Sequence, residues 1–169
     1  MKPTVAVLMG SDSDEEVMKE CSRTLEEFEV GYEWRILSAH RSPEMLRDYV
    51  TEAESRGVQV FIAAAGGAAH LAGAVAALTS RPVLGVPIAS TSLNGLDALL
   101  STVQMPGGVP VSTFAVGPAG AKNAALTAVQ ILALGEPEFY KKLKTYKDKL
   151  GHSVREKDAK LQTKLQKGK

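Results

Sequence analysis

The stretch Ser38-Ala39-His40-Arg41-Ser42-Pro43 sets an imidazole beside a guanidinium where an apolar run gives way to a helical pattern. Histidine exchanges protons in the neutral range, and arginine pairs with phosphate or carboxylate through two parallel N–H donors. Proton transfer beside a held anion is the chemistry this pair predicts. His40 is then the general acid and base, Arg41 the anion clamp, and Ser38 an extra hydroxyl from the same turn. A structural reading of His40, satisfied by backbone groups, stands beside the catalytic one.

Gly10-Ser11-Asp12-Ser13-Asp14 follows a second apolar run and offers hydroxyls, backbone donors and a helix N-terminus to an anion. Two carboxylates would repel a phosphate at close range, so they need other tasks. Ser11 and Ser13 are assigned to phosphate, Asp14 to ribose hydroxyls, and Asp12 to solvent or helix capping. Ser13 and Glu16 have capping-box spacing, and the bland reading of the whole loop is a helix cap. The loop carries neither the Gly-Lys-Ser of a Walker sequence nor the dinucleotide glycine fingerprint.

The third segment, Ala63-Ala64-Ala65-Gly66-Gly67-Ala68-Ala69-His70-Leu71, is nearly without bulk. Gly66 and Gly67 allow another group close to the backbone, and a carboxylate or carbon dioxide would fit there. His70 reads either as a substrate contact or as a helix cap or core hydrogen bonder. His152 reads as exposed. Three histidines without an i, i+4 pair or clustered carboxylates make poor metal ligands, so no metal is expected. Lone Cys21 falls on an apolar helix face, which argues against a thiol nucleophile and excludes an intramolecular disulfide.

The elements that must position these loops alternate. Val5–Met9, Tyr32–Leu37, Val58–Ala64, Val83–Val86 and Val111–Val116 read as strands. Asp14–Phe28, Pro43–Arg56, an alanine-rich stretch to about Leu78, and Ala119–Leu134 read as helices, while Leu96–Val103 allows a short one. Alternation predicts an α/β fold with a parallel sheet and right-handed crossovers. Ligands of such sheets bind beyond the carboxyl ends of the strands, where all three loops lie. The nearly uncharged Ala119–Leu134 helix calls for burial on most sides, in an oligomer core or centrally within one subunit.

At 169 residues, with 44% hydrophobic and 23% charged residues, the chain suits one compact domain. A net charge of +1 argues against a nucleic-acid or membrane coat. It conceals an asymmetry: residues 1–135 hold 9 basic against 14 acidic residues, and 136–169 hold 11 against 5. The division predicts a catalytic unit over 1–135 and a basic helical extension over 136–169, formed of two stretches meeting near Gly151 and packing on a neighbouring subunit. Neither a membrane span nor a secretory leader is read, so a cytoplasmic protein is expected.

In order, Gly10-Ser11 with Ser13-Asp14, Ser38-Ala39-His40-Arg41, Gly66-Gly67-Ala68-Ala69-His70-Leu71, Gly85-Val86-Pro87, Gln104-Met105-Pro106 and Asn123-Ala124-Ala125 resemble the N5-carboxyaminoimidazole ribonucleotide mutase family of purine biosynthesis. The resemblance runs from about Val5 to Leu134. It implies a flavodoxin-like three-layer fold, a homo-octamer with sites at subunit contacts, and no ATP, metal, biotin or other cofactor. The implied reaction moves a carboxyl group from an exocyclic amine to ring carbon C4. Ser11, Asp14 and Arg41 would contact the ribonucleotide, His40 would be acid and base, and Gly66–Leu71 would hold the migrating carboxyl.

A related carboxylase branch, which uses free carbon dioxide, typically has lysine after the histidine and a different glycine segment; Arg41 and His70 follow the mutase pattern. Ser42 and Ala72 depart from a usual threonine and proline. Two other classes are weighed against an enzyme: a flavin- or nucleotide-binding module, for which the marked loops lack a stacking aromatic, and an RNA-binding protein using the basic extension.

Overall fold

The computed structural model describes residues 2–167. Met1, Gly168 and Lys169, which fall within the two expected units, lie outside the described residues. Strand β1 (Val5–Met9) is buried throughout, and its alternation serves two cores. Val5, Val7 and Met9 face one, Ala6 and Leu8 the other, because successive side chains of a strand point to opposite faces. A continuous apolar run is what a strand covered on both sides requires.

A 3-10 turn (Asp12–Asp14) leads into helix α1 (Glu15–Glu27). The observed capping box joins Ser11 and Asp14, two residues earlier than the expected Ser13–Glu16 pair. Asp14 is the more buried partner and takes the Ser11 N–H, which shifts the cap upstream. Strand β2 (Tyr32–Ile36) follows, then helix α2 (Pro43–Arg56), with Pro43 in its first turn and Gly57 closing it at φ 103°. Both ends suit their residues, since proline fits the first turn and glycine the left-handed cap.

Strand β3 (Val60–Gly66) starts and ends two residues later than expected, and helix α3 (Leu71–Ala76) is a short turn and a half. Strand β4 (Val83–Ile88) runs on through Pro87. The Pro87 carbonyl accepts the Gly117 N–H at 2.9 Å, so the missing proline N–H points to the same side. Strand β5 has already ended there and no ladder bond is lost. Helix α4 (Leu96–Val103) forms where the sequence allowed one, and β5 keeps only Ser112–Thr113 of the six residues expected. It pairs with Leu84 and Gly85 alone, at the sheet edge.

One face of helix α5 (Pro118–Leu132) is covered by its own chain, where Ala121, Ala124, Ala125, Ala128, Val129 and Leu132 join the core shared with α1 and the sheet, while Ala119, Asn123 and Gln130 are exposed. Helix α6 (Pro137–Lys167) is continuous, not two stretches meeting near Gly151. An interior glycine costs a helix about 1 kcal/mol relative to alanine, which 31 residues of helix absorb without a break. Its first turns pack on the body through Phe139, Leu143 and Tyr146, and Lys142 donates to the Phe28 carbonyl at the end of α1. Farther along, Leu150, Val154, Leu161 and Leu165 are exposed.

The sheet is parallel throughout, in the order β2-β1-β3-β4-β5, with helices on both faces. This is the flavodoxin-like three-layer sandwich. Strand order reverses at β1, which has β2 on one side and β3 on the other, so the crevice opens beyond the carboxyl ends of these three strands. Among the described residues, no helix is long and apolar enough to cross a membrane.

Candidate active site

Met9, Ile36 and Ala64 stand in register across β1, β2 and β3. The loops that follow must therefore emerge side by side. Together with Ser90 beyond β4, they line a cleft of about 260 Å³. Ser11, Ser13, Asp14, Ser38, His40, Arg41, Gly66 and His70 all line it. Of the residues expected to touch substrate, Gly67 does not; it turns the loop at φ 60°, a left-handed conformation natural to glycine.

The Arg41 side chain is tied down on two sides. Its Nη2 donates to the Gly10 carbonyl at 2.8 Å, and Nε reaches Ser38 Oγ at 3.4 Å. Ser38 Oγ also accepts the Arg41 backbone N–H at 3.1 Å, so this hydroxyl positions the guanidinium. Ser42, at the head of α2, accepts the Ser38 N–H through its own hydroxyl at 3.2 Å. A guanidinium has five donors, and those left over can meet an anion.

Facing it, Asp12 is exposed, and Oδ1 accepts from the Ser11 hydroxyl at 2.9 Å and the Ser13 N–H at 3.1 Å. These bonds, the Ser11 hydroxyl first, hold its carboxyl below the usual carboxylate range. Asp14 is 4% exposed, with Oδ2 on the Ser11 N–H at 3.1 Å. Burial pushes its carboxyl above the usual range, against the pull of the backbone N–H donors. Neighbouring aspartates in one turn thus have opposite tendencies, set by solvent access. Cys21 is fully buried, its thiol pushed up to about 12 by burial, and stands apart from the cleft.

The third loop comes close to β4. A Cβ on Gly66 would lie 2.0 Å from Ser90 Oγ and 3.0 Å from the Ile88 carbonyl. Only glycine permits this approach. Sequence reasoning passed over Ser90, which sits in an ordinary Ser-Thr loop; the signal is its place just past the strand that pairs Gly66 with Ile88.

His40 and His70 meet over the cleft. Nε2 of His40 lies 2.8 Å from Nδ1 of His70, and the rings are edge to face, 4.9 Å between centroids and 76° between planes. Both imidazoles are exposed, and the side chain of His70 makes no capping bond at the start of α3. The backbone-satisfied and core-histidine readings therefore do not describe this pair. A paired imidazole, a tethered guanidinium and a small-residue loop share one cleft.

The AIR carboxylase family profile matches residues 4–153. The chain belongs to the AIR carboxylase family. It is 60% identical over 146 residues to the N5-carboxyaminoimidazole ribonucleotide mutase of Pyrococcus abyssi, covering 86% of this chain and 83% of that one. The mutase of Bacillus subtilis is 49% identical over 156 residues, covering 92% and 96%. Among solved structures, PurE of Treponema denticola is similar with a TM-score of 0.86 and 31% identity, covering 94% of this chain and 98% of that chain. The likeness spans every element that builds the cleft.

Proposed function

We propose that this member of the family is an N5-carboxyaminoimidazole ribonucleotide mutase of purine biosynthesis, forming 4-carboxyaminoimidazole ribonucleotide. The observation that carries the reading is the meeting of His40, the Arg41 clamp and the Gly66 loop in one cleft, in a chain 49–60% identical to mutases across most of its length. The substrate is a small ribonucleotide. Its phosphate lies against Arg41, Ser11, Ser13 and Ser38, its ribose near Asp14, and its carboxyl beside Gly66, Gly67 and His70.

His40 protonates N5 of the carbamate, the N–C bond breaks, and carbon dioxide and aminoimidazole ribonucleotide form. This aminoimidazole is an enamine, so C4 attacks carbon dioxide and a C–C bond forms. C4 then carries both its hydrogen and the new carboxylate; His40 takes that proton, the ring regains aromaticity, and the enzyme returns to its starting state. The protein's part is to keep carbon dioxide beside C4, where proximity replaces a bimolecular encounter. The small side chains of Ala65, Gly66 and Ala68 leave room for it.

The reaction needs no cofactor in this scheme. The homo-octamer belongs to the same proposal, supported by exposed Leu93, Leu96, Leu100 and Val103 around α4 and by the apolar residues along the far half of α6. In that assembly the basic extension lies on a neighbour's acidic body. A cytoplasmic location accords with the small-molecule metabolism of the mutase relatives.

The test compares N5-carboxyaminoimidazole ribonucleotide with aminoimidazole ribonucleotide plus bicarbonate, each at low concentration. Preference for the carbamate supports the mutase; preference for free carbon dioxide makes the chain a carboxylase.

A further inference from the structure

Within the mutase reading, on which this inference rests, His40 must have one nitrogen free to give and take the proton. Its Nε2 is engaged by His70 Nδ1 at 2.8 Å. A neutral imidazole donates through one nitrogen and accepts through the other, so this single contact couples the tautomers of both rings. Two arrangements exist. Either His40 donates from Nε2, or His70 donates from Nδ1.

We propose that His70 is a positioning residue whose Nδ1 accepts from His40 Nε2–H, leaving His40 Nδ1 as the nitrogen that works on N5 and C4. In this arrangement the imidazolium of His40 loses its Nδ1 proton to the substrate and remains hydrogen-bonded through Nε2–H. The proton from C4 returns to Nδ1, and no proton has to cross between the rings. Holding a histidine in one tautomer through its second nitrogen is how carboxylates and carbonyls orient working imidazoles elsewhere.

The fold supports a built contact. Ala69 and Leu71, on either side of His70, are both 2% exposed, so the backbone is anchored while the imidazole stands out over the cleft. The His70 N–H donates to the Ala68 carbonyl at 2.8 Å, and the His70 carbonyl accepts from Ala74 at 2.9 Å. His40 arrives from beyond β2 and His70 from beyond β3. Their bond therefore bridges the crevice that β1 opens between them.

His70→Asn keeps an acceptor oxygen near the place of Nδ1, and His70→Leu removes it. The full-length variants are assayed with N5-carboxyaminoimidazole ribonucleotide. The expected result is a fall in kcat of about 10–100-fold for His70→Leu, larger than the rise in KM that follows from its place beside the substrate carboxyl, and recovery of most of the kcat loss in His70→Asn. Unchanged kcat in His70→Leu, equal losses in both variants, or a loss confined to KM would overturn the proposal.

A second readout is independent of turnover. The chain has 3 histidines, so solid-state spectra of protein labelled with 15N-histidine resolve each ring. At a pH high enough to leave its ring neutral, His40 is expected as the Nε2–H tautomer in the wild type and as a mixture in His70→Leu; an Nδ1–H tautomer in the wild type overturns the assignment. A wild type without mutase activity but with the expected tautomer counts against the reaction and leaves the histidine contact supported.

Discussion

Arg41 Nη2 donates to the Gly10 carbonyl across 2.8 Å, which fastens the guanidinium after β2 to the loop after β1. Guanidinium and serine loop are thus held as a unit, and in the proposed function they meet one phosphate. Less side-chain freedom remains to be lost on binding than for an unattached arginine.

Arg41→Ala should raise KM about 10–100-fold and change kcat much less, since a charge-assisted hydrogen bond contributes about 1.5–3 kcal/mol. Arg41→Lys should recover only part of the loss. An ammonium cannot serve the Gly10 carbonyl, Ser38 and a phosphate with the fork of a guanidinium. Steady-state kinetics decide the matter, and an unchanged KM in Arg41→Ala would remove the clamp from the account.

Gly66→Ala places a methyl 2.0 Å from Ser90 Oγ, so the loop or Ser90 must move. Overpacking of this kind costs about 1–3 kcal/mol. Urea midpoints should show the loss, and kcat should fall with it as the small-residue loop leaves the substrate. Adding Ser90→Gly should restore part of the stability, but not all, because the Ile88 carbonyl remains 3.0 Å away. Wild-type stability in Gly66→Ala would refute the close approach.

Asp14 supplies a pH signature. Burial raises its carboxyl above the usual value of about 3.9, so the folded chain holds that proton more tightly than the unfolded one. The stabilisation is complete below the unfolded value and is lost as pH rises through the folded one. Asp14→Asn has no such proton. The stability of wild type relative to Asp14→Asn should therefore fall across the acid range just above the ordinary carboxylate value, as followed by urea unfolding at stepped pH. A difference that grows with pH would reverse the sign and the argument.

Helix α6 divides into a part that packs on its own subunit and a part with exposed apolar residues. Truncation after Gly135 removes Leu143 and Tyr146 from the core and should destabilise the fold itself. Truncation after Leu150 leaves those contacts and should lower the mass in solution below that of an octamer. An octamer unchanged by the second truncation would free the extension from any role in assembly.

Much of this was legible in the chain. Val5–Met9 announced a central strand because five apolar residues in sequence suit burial on both faces, and the loops after β1, β2 and β3 declared themselves as breaks rich in polar or small residues. What pattern could not supply was contact between distant residues. Ser90 enters the cleft because β4 pairs with β3, and His40 meets His70 because β1 stands between their strands. The weak edge strand β5 was overestimated, since Val111–Val116 has the composition of a strand but only Ser112 and Thr113 find partners. The break expected at Gly151 failed because a glycine weakens a long helix without ending it.

The central claim is that His40 moves the proton, and His40→Asn tests it most directly. Substrate binding and turnover should be measured on the same preparation, by calorimetry and by formation of 4-carboxyaminoimidazole ribonucleotide. The predicted result is affinity within a few-fold of wild type and turnover reduced at least about 100-fold, since an amide does not exchange protons at neutral pH. Turnover near that of the wild type would contradict the account.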